Sequence, residues 1–116
     1  MAHMYLFFRP AKLPLDTLEI DARTVLNLEG SGDLRASLEE AFPGMAWDEA
    51  GHGHASVDGN WYEVHLPLTA DETVVMRCSL RVDHAALVQG LCDRLGWLAF
   101  DERSMCFQPH AEPVPA

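Results

Sequence analysis

Between Val74 and Val82 the chain alternates more strictly than anywhere else in its length. Val74, Met76, Cys78, Leu80 and Val82 are apolar, and Arg77, Ser79 and Arg81 fall between them. Side chains on a strand point to opposite faces in turn. This segment therefore predicts a strand with one face buried and one open, as in an antiparallel sheet. From Trp61 the same pattern predicts another strand: Tyr62, Val64 and Leu66 point one way, and Trp61, Glu63 and His65 the other. Asp58-Gly59-Asn60 before it is a turn signal.

Helical spacing appears twice. Leu34, Leu38, Ala41 and Phe42 share one face after a cap at Ser31 or Asp33, and Pro43-Gly44 closes the helix. Ala86, Leu87, Leu91 and Leu95 form a second stripe, widened by Val88 and Cys92. Asp83 is its expected N-cap, and Gly96 suits a left-handed C-terminal position. Met4 to Phe8 predicts a first strand before Pro10, Met45 to Ala50 a short one, and Trp97 to Phe100 a late one. Met105-Cys106-Phe107 can return as a hairpin partner of that last strand. Gly51-His52-Gly53-His54 predicts a turn, and Leu13 to Leu28 fits neither period. The expected fold is α+β, a mainly antiparallel sheet with two helices packed on one face. A ferredoxin-like variant is one topology that fits.

At 116 residues the chain suits one domain. We expect it to span 4–109, with 1–3 an expression remnant and 110–116 a loose Pro-rich tail. Cys78, Cys92 and Cys106 each lie in apolar runs without CxxC spacing, and predict reduced core thiols in a cytoplasmic protein. No signal peptide is evident, and no apolar run approaches the roughly 20 residues that cross a bilayer.

Eighteen acidic residues stand against eight basic ones, a formal net charge of −10. That field repels phosphate backbones and anionic membranes, which argues against nucleic-acid and membrane partners. It attracts a cationic protein and speeds its association. Acidity alone also keeps a protein soluble.

No catalytic signature stands out. There is no GxSxG, and Gly30-Ser31-Gly32 lacks the rest of a phosphate loop. Cys92 flanks an apolar stripe and reads as structural. Glu39-Glu40, Asp48-Glu49, Asp71-Glu72 and Asp101-Glu102 read as solvated pairs. His52, His54 and His65, with Asp48 or Asp58, have the chemistry of a zinc site but no named zinc spacing, and otherwise read as solvated turn histidines. Trp61 has two readings. Exposed, it is an aromatic anchor beside Glu63 and His65, with Asp48, Glu49 and Asp58 as acidic rim, the composition of an interface hot spot. Covered by the segment Leu13 to Leu28, it is core. Trp47 and Trp97 read as core.

The run Leu91-Cys92-Asp93-Arg94-Leu95-Gly96-Trp97-Leu98-Ala99-Phe100-Asp101 resembles the close of many small bacterial proteins, some of them similar to immunity proteins of toxin systems. Tyr5-Leu6-Phe7-Phe8-Arg9 and Phe42-Pro43-Gly44-Met45-Ala46-Trp47 resemble the same group. The resemblance covers about a fifth of the chain, mostly core and turn residues. It implies a small cytoplasmic protein that binds and neutralises a toxin, without assigning any residue a role. The leading expectation is a protein-binding module with no cofactor, either monomeric or homodimeric. The alternatives are a small metal-dependent enzyme using His52, His54 and His65, and a homo-oligomer pairing through a sheet edge or Trp61.

Overall fold

The computed structural model describes residues 3–12, 23–28, 32–49, 51–57, 59–67, 72–79, 83–103 and 105–115. In chain order the elements are β1 (His3–Pro10), β2 (Val25–Asn27), α1 (Gly32–Ala41), β3 (Ala46–Trp47), β4 (His52–Val57), β5 (Asn60–His65), β6 (Val74–Cys78), α2 (Ala85–Leu95), β7 (Leu98–Asp101), β8 (Met105–Phe107) and β9 (Val114–Pro115). The strands form a single nine-stranded sheet in the order β3-β4-β5-β6-β1-β7-β8-β9, with β2 paired to β1 off that path. Every pairing is antiparallel. The protein is thus α+β, with a large antiparallel sheet that outweighs its two described helices.

Alternation decides which face of the sheet is buried. Val74, Met76, Cys78 and Val64 are fully buried, and Tyr5, Phe7, Tyr62, Ala99 and Phe107 join them. The register makes these residues neighbours: Tyr5 faces Met76, Val64 faces Met76, Phe7 faces Ala99, and Ala99 faces Phe107. Leu34, Leu38 and Phe42 from α1 and its end, and Val88, Leu91 and Cys92 from α2, complete the same core. Tyr62 touches both helical segments. Its ring lies 5.3 Å from Phe42 and 5.2 Å from His84. In α2 the buried stripe is centred on Val88, Leu91 and Cys92, while Ala86 is exposed.

Helix ends follow the expected chemistry with one shift. Gly96 holds φ 70° and its N–H donates to the Cys92 carbonyl. Gly44 takes φ 84° after α1, where a side chain would be strained. Asp83 stands one residue outside the cap position, and its Oδ1 accepts the Ala85 N–H at 2.9 Å. Ser31, Leu80 and Val82 lie outside the described residues, as does 13–22 of the ambiguous segment.

Several expectations are corrected. His52-Gly53-His54 is not a turn but the start of β4; the turn lies just before it, with Gly51 at φ 79°. Gly53 is there for space. A Cβ on it would meet Met45 Sδ at 2.6 Å and the Trp47 ring at 2.9 Å. The tail is not wholly loose, because Val114 pairs with Cys106 and Pro115 with Met105 at the sheet edge. An edge tolerates a proline that lacks a donor. His3, expected outside the domain, opens β1 and hydrogen-bonds Glu102 at 2.9 Å. Ser79, expected on the open face, is buried and donates to Asn60 Oδ1 at 3.1 Å. The three cysteines are free and buried, as expected. Among the described residues no helix is long and apolar enough to cross a membrane.

Candidate functional site

Residues opposite in phase to the core populate the other sheet face, which is partly exposed at β4 and β5 but buried at Leu98 and Cys106. One row of successive cross-strand partners runs His52, His65, Val75, Leu6, Phe100, Cys106 and Val114. The adjacent row runs His54, Glu63, Arg77 and Met4. Trp61 lies on the same face, opposite Ser56 and two residues before Glu63. It is 43% exposed and Met4 is 38% exposed; both are large hydrophobic side chains that a folded core would normally claim. The Trp61 side chain is thus exposed and is not core. Trp97 is buried as expected, and Trp47 is partly buried under the Arg35 guanidinium, 5.1 Å from its ring centroid.

The histidines meet because of the β4–β5 register. Val57 pairs with Asn60, and counting back along both strands places His52 directly opposite His65. Their rings stack with centroids 3.9 Å apart and planes 17° apart. The His65 Nε2–H donates to Glu63 Oε1 at 2.5 Å. That hydrogen bond holds the Glu63 carboxyl below the usual carboxylate range; partial burial opposes it, and the charges of His65, His54 and Arg77 reinforce it. On the other side Asp48 Oδ1 accepts the His52 N–H at 2.9 Å, and its Oδ2 lies 3.6 Å from His52 Nδ1.

The expected site residues thus divide. Glu63 and His65 are adjacent, and His52 and Asp48 join them. Trp61 shares their face one step along the strand. His54 pairs with Glu63 but stands outside the group whose donor atoms converge. Glu49 is exposed in the β3–β4 connection, and Asp58 lies outside the described residues. Reading the sequence for metal ligands missed Glu63. Its two-residue spacing from His65 on a strand was the available signal, because such residues share a face.

The three thiols and His84 are enclosed by the fold. Burial pushes the thiols of Cys78 and Cys92 up to about 12 and that of Cys106 to about 11, which suppresses the thiolate needed for nucleophilic work. His84 is 2% exposed and bonded at both ring nitrogens. No family model, curated protein or solved structure matches the chain.

Proposed function

We propose that this protein is a binding module whose sheet face opposite the core docks a cationic protein, in the manner of an immunity-type inhibitor that covers a toxin's active surface. One observation carries the reading: Trp61, the most exposed large hydrophobic among the described residues, shares a face with Met4, Glu63 and His65. An aromatic anchor ringed by polar groups is the composition of an interface hot spot. The net charge of −10 selects the partner's sign. Trp61, Glu63 and His65 form the centre in this reading and Asp48 and Glu49 the rim; Asp58, expected in that rim, lies outside the described residues. No residue is assigned a catalytic role, and neither nucleic acid nor membrane is a partner. Three buried free thiols fit a reducing compartment, the cytoplasm.

The strand order also favours a ferredoxin-like variant with both helices on one face. The order β5-β6-β1-β7, with α2 linking the two strands that flank β1, is that of a split βαβ arrangement. β2, β3, β4, β8 and β9 are then additions to that core.

The test is capture of a partner from the native host with wild-type and Trp61→Ala baits, followed by association rates over a salt series. The expected partner is a basic protein, bound weakly by Trp61→Ala and more slowly as salt rises. Equal binding by the variant sinks the docking face. Salt-independent association sinks the charge argument. Self-association of the purified chain, lost in Trp61→Ala, would instead make a second copy the occupant.

A further inference from the structure

His52, Glu63 and His65 each offer a donor atom, and these atoms lie within 4.8 Å of one another. We propose that they form a binding site for a divalent transition metal of the zinc class. This inference stands independently of the docking reading.

The chemistry of the donors favours it. Two imidazoles and one carboxylate are a common three-ligand set for zinc, leaving a fourth position for water or an incoming group. Zinc holds nitrogen and oxygen at about 2 Å, which sets tetrahedral ligand atoms roughly 3.3 Å apart. The present spacing of up to 4.8 Å is wider than that, so the three partly exposed side chains must draw together on binding. The ladder between β4 and β5 fixes the two histidines as direct partners on one face. Binding would replace the ring stack and the His65–Glu63 hydrogen bond with bonds to the metal.

Asp48 supplies a support that an accidental pair of histidines lacks. It grips the His52 main chain through Oδ1 and faces Nδ1 with Oδ2, leaving Nε2 as the nitrogen for a metal. A carboxylate behind a ligating histidine orients the ring and raises its basicity. Glu63 and Asp48 also bring negative charge to the site. Arg77, the cross-strand partner of Glu63, opposes it, and its positive charge lowers the affinity.

The test uses the full chain purified without metal-affinity chromatography, stripped with chelator and titrated with Zn²⁺ by calorimetry. The expected result is one zinc per chain and a raised Tm. Glu63→Gln and His65→Ala each weaken binding by tenfold or more, Asp48→Asn by about tenfold, and His54→Ala leaves it unchanged. Glu63→Gln keeps the side-chain shape, and circular dichroism of each variant shows that the fold persists. The proposal is overturned by absence of saturable zinc binding, or by stoichiometric binding that survives both Glu63→Gln and His65→Ala. Perturbation of the His52 and His65 ring signals by Zn²⁺ in NMR, with that of His84 unmoved, supports the assignment.

Discussion

Tyr62 donates its hydroxyl hydrogen to Nδ1 of His84 across 2.9 Å of buried core. The direction follows from the other nitrogen. His84 Nε2 lies 2.6 Å from the Ser79 carbonyl, which can only accept, so the ring proton sits on Nε2 and Nδ1 is the acceptor. The bond ties β5 to the start of α2. Tyr62→Phe keeps the ring against Phe42 but leaves a buried nitrogen unpaired. The expected loss is about 1–3 kcal/mol, read from urea unfolding. A variant as stable as wild type would show that the nitrogen finds another partner.

Gly53 lies beneath Trp47 on β3 and beside Met45. Gly53→Ala inserts a methyl into atoms 2.6 and 2.9 Å away. Met45 can swing aside, whereas the Trp47 ring is held by the Gly53–Trp47 pairing and by Arg35. Overpacking of this kind costs about 1–3 kcal/mol. Thermal unfolding checks it, and the near-ultraviolet signal of Trp47 should change with it.

These two contacts also show what the chain discloses and what it conceals. The alternation around Tyr62 and Val74, the stop at Pro43-Gly44 and the left-handed Gly96 were legible, because each acts over a few residues. The strand through His52-Gly53-His54 was not. Glycines signal turns when read locally, and only Met45 and the Trp47 ring, packed over it from outside its own strand, explain this one. The same holds for His52 and Glu63. Their proximity depends on how β4 pairs with β5, a relation that neither segment states alone. Ser79 looked open by phase, yet its hydroxyl and carbonyl serve Asn60 and His84.

Buried thiols give a direct chemical prediction. With Cys78 and Cys92 pushed up to about 12 and Cys106 to about 11, almost no thiolate exists at mildly alkaline pH. The native protein should fail to react with a thiol-exchange reagent, and all three groups should react in denaturant. Fast native labelling of any one would show that its segment opens.

Glu102 fastens the beginning of β1 to the β7–β8 turn. It accepts from the His3 ring at 2.9 Å and from the Met4 N–H at 3.1 Å. Burial pushes its carboxyl up, but these hydrogen bonds outweigh burial and hold it below the ordinary range. A carboxyl lowered by folding stabilises the protein above its unfolded pKa. That contribution is lost as pH falls through the folded pKa. Glu102→Gln should therefore be less stable than wild type at neutral pH, with the difference shrinking in acid. Urea midpoints over a pH series measure this. A difference independent of pH would mean the carboxylate charge plays no part.

Trp61 separates stability from binding. At 43% exposure its ring contributes less to folding than a core tryptophan, and the residues around it, Pro43, Gly44 and His54, are themselves exposed. Trp61→Ala should cost less than about 1 kcal/mol, against about 3–5 kcal/mol for truncating a buried aromatic. Trp97→Ala, at 6% exposure and with its ring 5.7 Å from Phe7, supplies that comparison within the same chain. A large loss at Trp61 would mean its ring supports the sheet, which would weaken the case for a docking face. A small loss leaves an exposed indole that folding does not require, and partner binding is then the property expected to suffer.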